Sequence, residues 1–135
     1  MTTKIKVAII EDDMAIVQMY RTKFENEGYN VATAPDGETG LELIDSFEPD
    51  IVLLDLMMPN MNGLDMLQHL RSQPNGRDAK VVVLTNMGDT ETATKVYKMA
   101  ADDYIVKAEM TPKQVAERVK ALLDKGPSTA GPSVA

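Results

Sequence analysis

The residues with the most chemical potential each stand directly after a short apolar run. Glu11-Asp12-Asp13 follows Val-Ala-Ile-Ile, Asp55 follows Ile-Val-Leu-Leu, Thr85 follows Val-Val-Val-Leu, and Lys107 follows Asp-Tyr-Ile-Val. If the fold gathers them, the set is three or four carboxylates, one hydroxyl and one ammonium. Two carboxylates about 4 Å apart repel by about 4 kcal/mol at an effective dielectric near 20. Three together therefore need a cation or shared protons. Oxygen ligands without His or Cys select a hard divalent ion, Mg²⁺ where a phosphate is to join it, with Mn²⁺ as the alternative. Asp55 could attack phosphorus to form an acyl phosphate. Lys107 supplies a compact positive charge for phosphoryl oxygens, and the Thr85 hydroxyl can donate a hydrogen bond to one of them.

Gathering these residues is a matter of topology. Lys4–Ile10 reads as a buried strand, and the Met14–Glu27 stretch as a helix with Ile16, Met19, Tyr20 and Phe24 inward and Gly28 as its stop. Tyr29–Ala34 is a second strand and Pro35-Asp36-Gly37 a turn. Glu38–Phe47 is a helix with Leu41 and Ile44 inward. Ile51–Leu54 is the most apolar run in the chain and reads as a central strand buried on both faces. Pro59–Gly63 is a loop, Leu64–Arg71 a helix burying Leu67 and Leu70, and Pro74-Asn75-Gly76 a break. Lys80–Leu84 is the fourth strand, Asp89–Ala100 a helix that Asp89 could cap, and Asp103–Val106 the fifth strand. Thr111-Pro112 reads as an N-cap followed by Pro at the first helical position. The last helix runs to about Lys125 and buries Val115, Val119, Leu122 and Leu123.

Such alternation requires right-handed crossovers and a parallel sheet covered by helices on both sides. The expected fold is α/β, a flavodoxin-like doubly wound (βα)5 with strand order 2-1-3-4-5. In a parallel sheet all strands end at one edge, so the acids, the hydroxyl and the amine arrive at a common crevice. The 135 residues make one domain, expected over 1–125, with a Pro/Gly-rich, disordered tail over 126–135. With no Cys, thiolate metal sites, Cys nucleophiles and disulfides are excluded. A net charge of −7 argues against binding nucleic acid through its phosphates. No run approaches membrane-spanning length, no signal peptide begins the chain, and the expected location is cytoplasmic.

At these residues the chain resembles the response-regulator receiver family of two-component systems. The matching motifs are Val-Ala-Ile-Ile-Glu11-Asp12-Asp13, Ile-Val-Leu-Leu-Asp55-Leu-Met-Met-Pro59-Asn-Met-Asn-Gly63, Val-Val-Val-Leu-Thr85 and Ala-Asp-Asp-Tyr104-Ile-Val-Lys107. The resemblance implies that Glu11, Asp12 and Asp55 hold Mg²⁺, helped by the backbone carbonyl of Met57. It implies that Asp55 accepts a phosphoryl group from a histidine kinase or phosphotransfer protein and that Lys107 pairs with the phosphate. Thr85 and Tyr104 would form a coupled switch, read by a downstream protein on the face of the fourth helix, fifth strand and fifth helix. The chain would be monomeric or dimerise on phosphorylation. It would be a switch, not an enzyme, catalysing only its own phosphorylation and slow dephosphorylation.

Two positions depart from the family pattern. Asn86 follows Thr85 where a small residue is usual, and Ala108 follows Lys107 where a cis Pro is usual. A cis bond before Ala costs about 2.5–4 kcal/mol, against about 0.5–1 before Pro, so a trans bond with a rerouted 108–110 loop is expected. Apolar Met57 and Met87 offer no means of positioning a hydrolytic water, which suggests slow self-dephosphorylation.

Plainer readings stand beside these. Asp12 or Asp13 could cap the first helix, Asp13 for preference. His69 reads as a surface or half-buried residue, and the Met set (Met14, Met57, Met58, Met61, Met66, Met87) as packing. An aspartyl phosphatase of the haloacid-dehalogenase type would need a carboxylate where Met57 stands. A flavin carrier would need a phosphate loop where Glu11-Asp12-Asp13 would repel it. A receiver-shaped binding module that no longer depends on phosphorylation is kept alive by Asn86 and Ala108.

Overall fold

The computed structural model describes residues 4–56, 63–74, 78–86 and 90–125. Five strands, β1 (Lys6–Ile10), β2 (Asn30–Ala34), β3 (Ile51–Asp55), β4 (Lys80–Thr85) and β5 (Asp103–Val106), form one parallel sheet in the order β2-β1-β3-β4-β5. The helices are α1 (Met14–Asn26), α2 (Gly37–Phe47), α3 (Gly63–Ser72), α4 (Thr90–Lys98) and α5 (Pro112–Asp124), with a 3₁₀ turn at Lys107–Glu109. This is the fold and strand order that the alternation of elements predicted. Of the expected loop Pro59–Gly63, residues 59–62 lie outside the described residues and Gly63 instead opens α3; residues 75–76 of the expected break, the Asp89 cap and the 126–135 tail also lie outside them.

Local chemistry sets the helix ends. Asp13 caps α1 by accepting from the amides of Ala15 (3.0 Å) and Ile16 (3.3 Å), which fulfils the plainer reading of that residue. Gly28, at φ +94°, ends it. Thr111 and Gln114 exchange bonds in a capping box at α5, with Pro112 opening the helix.

The alternation of strand side chains divides the core between the two faces of the sheet. Val7, Ile9, Ile51, Leu53, Val82, Leu84 and Ile105 pack with Tyr20 and Phe24 of α1 and with Val115 and Val119 of α5. Ala8, Ile10, Val52, Leu54, Val81 and Val83 pack on the other face with Ile44, Met66, Leu67, Leu70 and Val96. The central β3 is buried throughout, as expected for a strand covered on both sides.

Several inward assignments need correction. Met19 is 43% exposed, because Val17, Tyr20 and Phe24, at steps of three and four, form the buried stripe of α1 and Met19 falls beside it. Met14 is also exposed, at 59%, against its reading as packing. Ile16, Leu41 and Leu123 are half-buried, at the margins of their helix faces. Lys4 and Ile5 precede β1 and are exposed, and Tyr29 precedes β2.

α4 ends through Ala100 at φ +69°, a left-handed conformation in a residue with a Cβ. The left-handed region costs an L-residue about 1–2 kcal/mol, whereas Gly adds about 0.4–1 kcal/mol of unfolded-state entropy. Ala100→Gly is accordingly expected to stabilise the chain by about 0.5–1 kcal/mol. Urea denaturation at equilibrium measures this, and unchanged or lowered stability would contradict it.

Candidate functional site

Strand register brings the acids together. Ile10 of β1 lies beside Leu54 of β3, so the next residues, Glu11 and Asp55, leave adjacent strands at the same level. Both continue the face that packs on α1 and α5, because Ile9 and Leu53 lie two residues before them on that face. Lys107 follows Ile105 by the same step. The exit of β3 is held by the bond from the Leu56 amide to the Leu84 carbonyl (3.1 Å), and that of β1 by Glu11 N–H to Ala34 (3.0 Å). A Cβ on Gly63 would lie 2.5 Å from the Leu56 Cα and 2.8 Å from the Asp55 carbonyl oxygen. Only glycine lets α3 begin so close to the residue it braces.

Glu11 and Asp55 are 1% and 2% exposed, while Asp12 is exposed at the rim. One carboxylate oxygen from each of the three lies within 4.8 Å of the others. The Lys107 ammonium lies 3.3 Å from Asp55 Oδ1 and in direct contact with Glu11 Oε1. Glu11 also accepts from the Asp13 amide through Oε2 (3.1 Å). Burial pushes the Glu11 carboxyl up to about 7, with neighbouring Asp55 adding to the rise against Lys107 and the Asp13 amide. For Lys107, burial pulls downward but contact with Glu11 and Asp55 outweighs it, and the ammonium is held above its usual range. Among the described residues one cation faces three acids, an excess of acidic groups over basic ones. The donor set, all carboxylate oxygen and partly preorganised, fits a hard divalent ion.

Thr85 closes β4 and is 4% exposed. It continues the row of Val81 and Val83, which faces α3 and α4. Tyr104 pairs in register with Val83 and packs on the same cluster, so Thr85 and Tyr104 are diagonal neighbours on that face. The predicted residues thus fall into two groups on opposite sides of the sheet edge, with Glu11, Asp12, Asp55 and Lys107 in one and Thr85 and Tyr104 in the other. Met57 and Met87 lie outside the described residues. The Lys107–Ala108 bond is trans, as expected, and the chain passes straight into the 3₁₀ turn. Asn86 and His69 are exposed.

Sequence reasoning missed one neighbour of the site and one buried ion pair away from it. Tyr20 was placed in the α1 stripe, yet it lies 2% exposed close enough to the site for Lys107 and Glu11 both to act on it. Burial raises its phenol; Lys107 lowers it and Glu11 raises it further. Asp103, taken only as the start of β5, is 6% exposed and held by both nitrogens of a fork, Arg118 Nε (2.9 Å) and Nη2 (2.5 Å). Asp103–Arg118 shows in sequence only as two opposite charges fifteen residues apart, with nothing to single them out.

A doubly wound parallel sheet with acids, a lysine and a hydroxyl at its strand exits is the receiver architecture. Residues 7–120 match the response regulator receiver domain family, and the chain belongs to it. It is 37% identical over 121 residues to "Probable transcriptional regulator ycf27" of Guillardia theta, covering 90% of this chain and 46% of that one. It is 34% identical to "DNA-binding response regulator MtrA" of Mycobacterium tuberculosis, covering 90% and 52%. The chain therefore spans about half the length of these curated relatives. A CheY-like receiver domain protein from Methanospirillum hungatei superposes with a TM-score of 0.84 at 28% identity, covering 91% of this chain and 96% of that one. Both curated relatives are named as transcriptional or DNA-binding regulators, so the expectation of no nucleic-acid partner, drawn from charge alone, is unsupported. Among the described residues no helix is long and apolar enough to cross a membrane.

The excess of acid generates a stability prediction. Folded Glu11 keeps its proton to about pH 7, whereas an unfolded Glu releases it near 4.5. Between those values the folded state binds more protons, so with chelator present stability falls as pH rises through that window. Glu11→Gln flattens this slope in urea titrations across pH; an equally steep slope in the variant would contradict it. Millimolar Mg²⁺ at constant ionic strength is expected to raise the wild-type Tm by binding the folded form, and Asp55→Asn to diminish the shift. No shift in the wild type would count against a clustered cation site.

Proposed function

We propose that this receiver domain is a phosphorylation switch with Asp55 as its acceptor. The observation that best supports this is the buried contact of the Lys107 ammonium with both Asp55 and Glu11, which puts a cation beside the carboxylate that would act as nucleophile. In the proposed reaction an Asp55 carboxylate oxygen attacks the phosphorus of a phosphohistidine on a histidine kinase or phosphotransfer protein. The phosphorus–nitrogen bond breaks, the imidazole departs and takes up a proton, and an acyl phosphate remains on Asp55. Glu11, Asp12 and Asp55, with the Met57 carbonyl by resemblance, would hold Mg²⁺, which when bound neutralises charge on the phosphoryl oxygens.

The new group adds roughly −1.5 to −2 charge. Lys107 exchanges its hold on Glu11 for the phosphoryl oxygens, and Thr85 donates its hydroxyl to another. Tyr104, the diagonal neighbour of Thr85, follows the vacated space inward. The change is read on the surface of α4, β5 and α5, where Tyr97 is 46% exposed beside the Asp103–Arg118 pair, by a downstream protein or a second copy of the chain. The protein acts in the cytoplasm and turns over no substrate but its own acyl phosphate, slowly if Met57 and Met87 border the site as the family pattern implies.

Incubation with acetyl phosphate or phosphoramidate and Mg²⁺, followed by intact mass, tests the proposal. One added phosphoryl, absent in Asp55→Ala and persisting for minutes or longer, is the expected result. No addition would favour a binding module independent of phosphorylation. Release of phosphate from added monoesters would favour an aspartyl phosphatase, and a lifetime of seconds would refute slow hydrolysis.

A further inference from the structure

At the sheet edge opposite the acidic site, one guanidinium joins three elements. Arg71, in the last turn of α3, donates through Nη1 to the Ala79 carbonyl just before β4 (2.5 Å). Through Nη2 (2.6 Å) and Nε (3.2 Å) it donates to the carbonyl of Ala100, the left-handed residue that ends α4. Nη2 also pairs with Asp102 Oδ2 (3.1 Å), an oxygen that in turn accepts from the Val81 amide of β4 (2.8 Å). Both side chains are nearly dry, at 12% and 11% exposure, where charge-assisted bonds are stronger than at an open surface.

The packing of α4 is uneven in the same sense. Its C-terminal half contributes the buried Val96, followed by half-buried Met99 and buried Ala101. Between Glu91 and Lys95 no side chain is fully buried: Thr92 and Ala93 are half-buried and the others exposed. α4 runs antiparallel to the strands, so its weakly packed N-terminal end lies at the edge where Thr85 emerges, and its clamped end lies farthest from the site.

We infer that Arg71 is the pivot of α4: the C-terminal end of the helix is fixed to α3, β4 and the approach to β5, and the helix moves by tilting its N-terminal end. The inference rests on the switch reading only for what sets the tilt in motion. The pivot itself belongs to the unmodified chain. It makes Arg71 a positioning residue that turns a change at the β4 exit into rotation of a surface helix rather than its detachment.

Hydrogen exchange on the full, unmodified chain tests this first. An ordinary helix frays at its ends, but here the amides of Met99, Ala100 and Ala101 are expected to exchange more slowly than those of Thr94 and Lys95. In Arg71→Gln, and in the milder Arg71→Lys, which keeps the charge but loses the fork, that order inverts. The three amides then exchange faster by roughly tenfold to a hundredfold, the equivalent of one lost charge-assisted bond, while Leu53 and Leu54 in β3 change much less. Unchanged exchange at Met99–Ala101, or a fall shared equally with β3, overturns the pivot, the second outcome leaving Arg71 a merely structural residue.

The absence of native Cys permits a second arm. Spin labels at Glu91→Cys and at Lys98→Cys, each paired with Glu42→Cys on α2, report the two ends of α4 on adding beryllofluoride and Mg²⁺. Movement at 91 with none at 98, and movement at both in an Arg71→Gln background, is expected; equal movement at both ends of the wild type overturns the pivot. Should beryllofluoride not bind, the phosphoryl-acceptor reading fails and the exchange pattern alone decides the pivot.

Discussion

Among the described residues, three carboxylates share one edge of a parallel sheet with one ammonium, and most of this structure follows from having to hold them there. Glu11 and Asp55 are almost wholly buried, and each would be costly alone. Lys107 reduces the cost by touching both, yet one positive charge cannot balance three negative ones. Burial, with Asp55 close by, keeps a proton on Glu11 well above the usual range. The three acids form a cluster whose donor set fits a divalent cation, and the lysine touches two of them. Repulsion among these acids is what a bound divalent ion would relieve, so the site is the least comfortable part of the fold.

The sheet positions residues on both of its faces. Because side chains alternate along a strand, Glu11, Asp55 and Lys107 continue the face packed on α1 and α5, whereas Thr85 and Tyr104 continue the face under α3 and α4. The two groups thus leave opposite faces of the sheet but end at the same edge, where β3 and β4 finish side by side. β4 is the bridge, since Leu84 packs with the first face and Val83 with the second. At the far edge, Arg71 and Asp102 tie the same β4 to the end of α4, so the strand bearing Thr85 and that end of the helix are anchored together.

Trans geometry at Lys107–Ala108 shows how a departure from the family pattern is absorbed. The chain turns through Lys107–Glu109 as a 3₁₀ segment and reaches the Thr111 cap of α5 without displacing Lys107 from the acids. Asp13, meanwhile, caps α1 and lends its amide to Glu11, so a residue of plain structural role also fixes the orientation of a site carboxylate.

The sequence by itself determined the element order, the strand order and the list of strand-exit residues, because apolar runs of strand length alternating with helical periodicity admit few topologies and a parallel sheet brings all exits to one edge. It also determined the caps at Asp13 and Thr111, whose bonds are local. Met19 escaped it, since Val17 and Met19 both suit an apolar stripe and only the position of the sheet chooses between them. So did the nearness of Tyr20 to the acids, the Asp103–Arg118 fork and the Arg71 clamp, whose partners lie on different elements. Tertiary structure alone decided these: long-range contacts depend on where helices settle against the sheet, and that position is fixed by the packing of many side chains at once rather than by any periodicity in one segment.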